Sequence, residues 1–156
     1  MFRRVLIANR GEIACRIART CRRLGIAPIG VHSSADRDAL HTSAMDTSIG
    51  LGGASAAESY LRIDAVIDAA RRTGAQAIHP GYGFLAENPA FAEAVEAAGL
   101  VFIGPTADTL RRLGHKGQAK AEARAASVPV LGGGEDASAD AETVAERARS
   151  VTLPVL

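Results

Sequence analysis

The sequence of 156 residues lacks a net excess of charge, because 18 lysines and arginines nearly balance 17 aspartates and glutamates. Such a balance argues against a protein built to coat nucleic acid or an anionic membrane. The chain also lacks a long apolar segment near its start, where the run that begins at Val5 is broken at Asn9. We therefore predict neither a signal peptide nor a membrane span, and the default expectation is a cytoplasmic protein.

Cysteine is scarce and histidine is dispersed. The two cysteines, Cys15 and Cys21, are six residues apart, which fits neither a CxxC redox pair nor a zinc knuckle. We expect both to be reduced and structural. The four histidines have no HxH or HxxxH spacing and no cluster of acids beside them: His32, His41, His79 and His115. We therefore predict no metal ion held by this chain alone.

Motifs of cofactor binding and nucleophilic catalysis are missing as well. The loop at 9–12 contains a single glycine, whereas a dinucleotide site needs the GxGxxG pattern that lets the backbone approach a pyrophosphate. This argues against an NAD-binding function. No Gly-x-Ser-x-Gly elbow or other nucleophile signature occurs, and we assign no catalytic residue within the chain.

The sequence does contain a regular alternation of strand-like and helix-like segments. The predicted elements are strands at 4–8, 27–32, 77–79 and 100–103, with helices at 12–24, near 63–72, near 90–98 and from 106 to 113. Alternation of this kind produces parallel sheets. We therefore predict an α/β fold: a small Rossmann-like, doubly wound parallel sheet of about five strands, complete by about residue 113.

Beyond residue 113 the pattern changes. We predict a lysine- and alanine-rich helix at 118–126 and an alanine- and glutamate-rich helix at 139–149, separated by a glycine run at 132–134. A β-like run at 153–156 stops as soon as it begins. We interpret 114–156 as the truncated start of a second domain.

Two loops follow predicted strands, at the edge where open α/β sheets place their ligands. The loop at 9–12 suits a binding site and a tight turn with Glu12 at a helix N-terminus about equally well. At 79–88, glycines let the chain turn sharply around Tyr82. That pattern suits either a substrate wall or a structural loop in which Tyr82 and Phe84 pack against neighbours. Glu87 is either a ligand or a helix-start acid.

Two basic features also have a functional and a plain interpretation. Lys116 follows a flexible glycine between two predicted helices, where an ammonium group can reach a phosphate. An ordinary surface lysine fits the same pattern. Arg16, Arg19 and Arg23 form a stripe opposite the apolar face of the first helix. Such a stripe is either a solvated face or a contact with another subunit.

Several longer strings resemble the biotin carboxylase family in order and spacing. They are VLIANRGEIACRI at 5–17, HSSADRD at 32–38, SYL at 59–61, HPGYGFLAEN at 79–88 and FIGP at 102–105. Leu113-Gly114 followed by Lys116 continues the resemblance, which covers essentially the whole chain. The family includes biotin carboxylase subunits and the corresponding domains of acyl-CoA, pyruvate and urea carboxylases.

The resemblance implies that 1–113 form a pre-ATP-grasp domain and 114–156 the beginning of an ATP-grasp domain. It implies a ligase that uses ATP and bicarbonate to carboxylate biotin, with Mg or Mn present in the full-length enzyme. The implied partners are a biotin carboxyl carrier domain, a carboxyltransferase and a second copy in a homodimer, without nucleic acid or membrane. The chain alone is expected to be inactive, because the family's metal-binding glutamates and catalytic arginine lie in later segments.

The same resemblance assigns roles by position. Lys116 matches an ATP-contacting lysine, and Tyr82 and Gly83 match the loop that faces biotin and bicarbonate, with Glu87 close by.

Arg19 and Arg23 match the neighbourhood of the family's dimer contact. Two positions depart from the family pattern: Arg23 stands where an acid is common, and His115 stands where Asp often precedes the lysine. Two other functions stay open, a stand-alone Rossmann-like binding or scaffold module and part of another ATP-grasp ligase. The NRGEI and GYGF strings weigh against the second of these.

Overall fold

A computed structural model of the chain describes residues 1–131 and, beyond them, positions 142, 145, 148 and 149. The chain divides into two compact units, Met1–Ala107 and Asp108–Leu156. The glycine run at 132–134 and the β-like run at 153–156 lie outside the described residues. Of the predicted helix at 139–149, only the four positions named above are described, and they are helical.

Five strands of the first unit form one parallel sheet in the order β3-β2-β1-β4-β5. The strands are β1 (Arg4–Ile7), β2 (Ala27–Ser33), β3 (Thr47–Gly52), β4 (Ala77–His79) and β5 (Val101–Phe102). The helices are α1 (Gly11–Arg23), α2 (Leu40–Ser43), α3 (Ile63–Thr73), α4 (Pro89–Ala97), α5 (Ala107–Leu113) and α6 (Lys116–Ala125). This architecture confirms the predicted α/β, doubly wound sheet.

Alternate residues of the central strands supply the apolar core on both faces of the sheet. Val5 and Ile7 of β1 are buried in one cluster with Ile13 and Ile17 of α1. Leu6, between them in the strand, is fully buried on the other face, since successive side chains of a strand point to opposite sides. A sheet covered on both faces explains why β1 has an unbroken apolar run after its first residue.

A local signal fixes the start of α4 where the sequence predicts it. The Asn88 side chain accepts hydrogen bonds from the backbone N–H groups of Ala90 and Phe91 at 2.9 and 3.2 Å, so it caps α4 as expected. Phe91 then packs edge-on against Phe102 of β5, with ring centroids 5.8 Å apart. Helix α6 begins at Lys116, two residues earlier than predicted, which places that lysine in its first turn.

Two elements have no counterpart among the predicted ones. Edge strand β3 has the sequence TSIGLG, and its glycines and small polar residues weaken the usual strand signal. Helix α2 has only four residues, too few for a periodic pattern. Within residues 1–131, both cysteines are free, and no helix combines the length and apolar character needed to cross a membrane.

The strand order creates a switch point between β1 and β4. From β1 the chain adds strands on one side, β2 and then β3, whereas β4 and β5 lie on the other side. Ile7 at the end of β1 is paired with His79 at the end of β4, so the two following loops leave the sheet side by side. Open α/β sheets bind their ligands in the crevice at such a point.

Candidate functional site

The loops after β1 and β4 enclose an open cleft of about 340 Å³. Its walls are Asn9, Arg10, Gly11, Glu12 and Ile13 from the first loop and helix α1, and Tyr82, Gly83 and Phe84 from the second loop. The cleft therefore lies at the carboxyl edge of the two central strands. Both loops that the sequence nominates as ligand contacts contribute to it.

The buried side chain of Asn9 joins the two walls. Its Nδ2 donates hydrogen bonds to the carbonyl oxygens of Pro80 and Tyr82, each at 2.8 Å. Its Oδ1 accepts one from the backbone N–H of Arg10 at 2.9 Å. Asn9 is only 4% exposed, and buried amide hydrogen bonds of this kind are costly to break because each carbonyl would lose its partner. The path of the second loop is thus set by a side chain of the first.

This close approach explains one of the glycines in the second loop. A Cβ at position 81 would lie 2.8 Å from the Nδ2 of Asn9, and Gly81 has a φ of +70°. Both the space and the left-handed backbone therefore require glycine there. Gly83 has a φ of +66° with open space around it, so it serves the turn alone.

Tyr82 is exposed to the cleft, and its hydroxyl is held by a hydrogen bond. Tyr82 is 60% exposed, and its hydroxyl donates a hydrogen bond to Oε1 of Glu12 at 2.6 Å. That bond to a carboxylate raises the pKa of Tyr82. Tyr82 therefore remains a neutral phenol, held across the cleft from helix α1.

His79 supports the base of the same loop. Its Nδ1 accepts a hydrogen bond from the backbone N–H of Gly81 at 3.0 Å, so the ring carries its proton on Nε2. Burial lowers the pKa of His79, and the nearby Arg16 adds to this effect. The residue acts here as a neutral acceptor rather than as a charged group.

Phe84 anchors the far end of the loop. It has a φ of +43°, a left-handed conformation that costs a non-glycine residue roughly 1–3 kcal/mol. Its ring stacks on the ring of Tyr60, with centroids 5.0 Å apart and an interplanar angle of 11°. The stack holds the strained residue in place.

Tyr60 belongs to a hydrogen-bonded network centred on the buried carboxylate of Asp36. Asp36 accepts two hydrogen bonds from the Arg10 guanidinium, each at 2.7 Å. It also accepts one from the Tyr60 hydroxyl at 2.7 Å and one from the Ser33 hydroxyl at 3.1 Å. The Arg10 guanidinium, followed by the Tyr60 and Ser33 hydroxyls, lowers the pKa of Asp36 to about 2. Burial and the bond to Asp36 raise the pKa of Tyr60 to about 12.

The structure brings some of the residues predicted from sequence into the cleft and leaves others elsewhere. Tyr82 and Gly83 line it, whereas Glu87 is exposed next to the cap of α4 and is not a lining residue. Arg19 and Arg23 are exposed on α1. Lys116 is exposed at the start of α6, in the second unit. These functional assignments stay predictions.

Sequence reasoning missed the supporting residues. From the sequence, the loop that contains Asn9 and Arg10 fitted a binding site and a tight turn equally well. In the structure both residues line the cleft, and each also holds another segment by hydrogen bonds, Asn9 at Pro80 and Arg10 at Asp36. Asp36 lies 26 residues from Arg10 and 24 from Tyr60. No local periodicity connects positions so far apart, so the network had no signal of its own in the residue pattern.

Comparison with known proteins identifies the family. The sequence profile described as biotin carboxylase, N-terminal domain, matches residues 1–110. The chain belongs to this family. The cleft described above therefore lies in a biotin carboxylase N-terminal domain, as the resemblance of the sequence strings predicts.

Individual relatives agree with this membership. The chain is 52% identical to a biotin carboxylase of Pseudomonas aeruginosa, over 100% of this chain and 35% of that protein. It is 51% identical to the mitochondrial methylcrotonoyl-CoA carboxylase subunit alpha of Oryza sativa, over 98% of this chain and 21% of the subunit. The chain thus spans about a third of the bacterial enzyme's length and about a fifth of the plant subunit's.

Solved structures show the same fold. The crystal structure of a biotin carboxylase–beta-gamma-ATP complex from Campylobacter jejuni superposes with a TM-score of 0.84 at 43% sequence identity. The match covers 99% of this chain and 34% of that one. The switch-point cleft therefore belongs to a fold that a biotin carboxylase uses.

The Asp36 network generates a prediction about acid stability. The pKa of Asp36 is about 2 in the folded chain and about 3.9 in an unfolded one. Its contribution, about 2–3 kcal/mol, is therefore complete above about pH 5 and is lost as the pH falls through the unfolded and then the folded pKa. We expect Asp36→Asn to lower the free energy of unfolding by about that much at pH 6, and the difference from wild type to shrink toward pH 2.

Urea denaturation of the chain between pH 2 and pH 6 measures this. Asp38→Asn is the matched control, because Asp38 is an exposed aspartate two residues away. A difference between wild type and Asp36→Asn that does not change with pH would contradict the assignment.

Proposed function

We propose that the chain supplies the N-terminal part of an ATP-dependent biotin carboxylase, which carboxylates biotin on a carrier protein using ATP and bicarbonate. The observation that supports this best is 52% identity to a biotin carboxylase along the whole chain. In this proposal, 1–113 form the pre-ATP-grasp domain and 114–156 begin the ATP-grasp domain. The carboxylation activity itself is a property of the longer enzyme.

In this proposal the loop bearing Tyr82 and Gly83 faces biotin and bicarbonate. The loop has the physical properties that such a wall requires. Its main chain is fixed by Asn9, and its aromatic ring is open to the cleft. An exposed aromatic face on a fixed backbone suits a small apolar ring system such as that of biotin. Glu87, exposed five residues after Tyr82, is proposed to lie at the border of that site.

Lys116 is proposed to contact a phosphate of ATP. Its side chain is exposed, and it is the first residue of α6, directly after the N-cap position His115. An ammonium group there can approach a phosphate without first being extracted from a core or an ion pair. The proposal assigns binding and charge neutralisation to Lys116, and no proton transfer.

We propose Mg or Mn for the full-length enzyme only. Among the described residues, no three His, Cys, Asp or Glu side chains come together to hold a metal ion.

We infer that the partners are a biotin carboxyl carrier domain, a carboxyltransferase and a second copy of the enzyme in a cytoplasmic homodimer. The exposed stripe on α1 is proposed to lie near the dimer contact. Arg22 of the same helix pairs with Asp46 at 2.9 Å, whereas Arg19 and Arg23 form no ion pair within residues 1–131. Two unpaired arginines suit an acidic surface of the second copy. Arg23 stands where an acid is common in the family, so it cannot form the ion pair that such an acid would form.

A chimera tests the proposed activity. This chain would replace the matching first third of the Pseudomonas aeruginosa biotin carboxylase, to which it aligns over its full length. We expect biotin-dependent hydrolysis of ATP, measured by phosphate release with and without biotin and bicarbonate. A folded chimera that is saturated by ATP but shows no biotin-dependent turnover would rule the proposal out and favour a binding or scaffold module.

The nucleotide role of Lys116 is tested in the same chimera. We expect Lys116→Ala to raise the KM for ATP by roughly tenfold or more, because a charge-assisted contact to phosphate contributes about 1.5–3 kcal/mol. The KM for biotin should change much less. Lys120→Ala, four residues along the same helix, is the control. A larger increase in the KM for biotin than in the KM for ATP would contradict the assignment.

The role of Tyr82 predicts the opposite pattern. Replacing Tyr82 with Ala removes the aromatic wall but leaves the Asn9 clamp on the backbone, so we expect a higher KM for biotin and nearly unchanged binding of ATP. Steady-state kinetics with each substrate varied in turn measures both. Equal damage to biotin and ATP use would show that the residue is structural.

A further inference from the structure

Glu12 and Tyr82 connect the two sides of the cleft through one short hydrogen bond. The Tyr82 hydroxyl donates to Oε1 of Glu12 at 2.6 Å, across 70 residues of sequence. Both residues line the cleft, and Glu12 lies in the first turn of α1. A bond of this length to a carboxylate is in the range of charge-assisted O–H···O contacts.

The backbone of the Tyr82 loop and its far end are held by contacts that do not involve Glu12. Asn9 binds the carbonyl oxygens on either side of Gly81, and Phe84 is stacked on Tyr60. What these contacts leave free is rotation of the Tyr82 side chain, whose ring projects into the cleft. The bond to Glu12 is the contact that fixes this rotation.

We propose that Glu12 is a positioning residue. Its carboxylate accepts a hydrogen bond from the Tyr82 hydroxyl and thereby orients the Tyr82 ring for the ligand in the cleft. This inference rests on the proposed function, in which Tyr82 faces biotin. A phenol has a single O–H to donate, and here Glu12 receives it. Toward the ligand, Tyr82 then offers its ring and the free lone pair of its oxygen, which accepts from a donor such as a ureido N–H.

The charges around Tyr82 agree with this arrangement. The hydrogen bond to Glu12 is the largest cause of its raised pKa, and the charge of Glu12 acts in the same direction. Arg16, one turn further along α1, opposes the shift. Glu12 and Arg16 are the charged groups of α1 that act on the hydroxyl, and the carboxylate has the larger effect.

The positioning bond can be measured in the 156-residue chain without any activity. The chain has two tyrosines and no tryptophan, so tyrosines labelled with ¹³C at Cζ give two NMR signals. The signal missing from Tyr82→Phe identifies Tyr82. We expect Glu12→Gln to lower the pKa of Tyr82 toward its ordinary value, because the carboxylate acceptor is gone, while the Tyr60 signal stays unchanged.

Glu96→Gln is the matched control, because it removes an equal charge from an exposed glutamate on α4. It should leave the pKa of Tyr82 unchanged. An unaltered Tyr82 titration in folded Glu12→Gln would overturn the proposal, and so would an equal shift in Glu96→Gln.

Kinetics in the chimera then separate positioning from direct ligand binding. We expect Glu12→Gln to raise the KM for biotin by roughly three- to tenfold, the effect of one hydrogen bond, with the KM for ATP unchanged. In a Tyr82→Phe background the same substitution should have no further effect. An undiminished effect in that background would mean that Glu12 contacts the ligand itself and would refute a positioning role. An inactive chimera would refute the proposed function alone, since the NMR titration decides the positioning bond separately.

Discussion

The shape of the cleft depends on the buried amide of Asn9. Two parallel strands that end side by side deliver two loops to the same edge of the sheet, but the sheet does not fix how the loops continue. Asn9 supplies that constraint, because its Nδ2 binds the carbonyls of both Pro80 and Tyr82. Without it, two carbonyl groups near the base of the cleft would each lose a hydrogen bond, at a cost of about 1–3 kcal/mol apiece where they are buried. The glycine at 81 follows from the same contact, since any side chain there would collide with the amide.

The neighbouring residues of the first loop extend this constraint in other directions. The Arg10 guanidinium binds Asp36. Asp36 also accepts a hydrogen bond from Tyr60, whose ring stacks on the strained Phe84. Glu12 reaches forward to the Tyr82 hydroxyl. Three neighbouring side chains therefore support the second loop: Asn9 at its base, Glu12 at its tip, and Arg10 at its far end through Asp36 and Tyr60. This explains how a loop with a single glycine, unsuited to cradling a pyrophosphate, still forms one wall of a binding cleft.

Much of the fold could be predicted because its signals are local. The apolar run of β1, the amphipathic pattern of α1 and the cap at Asn88 each depend on residues close together in the sequence. Strand β3 escaped prediction because its two glycines and its small polar residues weaken the strand signal, whereas its place in the sheet depends on pairing with the distant strand β2. The cleft itself could be placed at the strand ends from topology. The Asp36 network could not be predicted, because tertiary packing alone brings its members together. The expectation that the ligands are biotin, bicarbonate and ATP rested on the resemblance to a family and not on the spacing or composition of the residues.

The division between buried support and exposed surface has a consequence for binding. The residues that hold the loop, Asn9 and Tyr60, are buried, whereas Tyr82, which lines the cleft, is 60% exposed. Ordering a mobile side chain on binding costs about 0.5–1.5 kcal/mol. Because the backbone and hydroxyl of Tyr82 are already fixed by the protein, a ligand that packs on this ring meets a surface whose ordering was completed during folding. The hydrogen bonds of Asn9 and Glu12 thus contribute to a preformed cleft wall, because they fix the backbone and the hydroxyl of Tyr82 before any ligand binds.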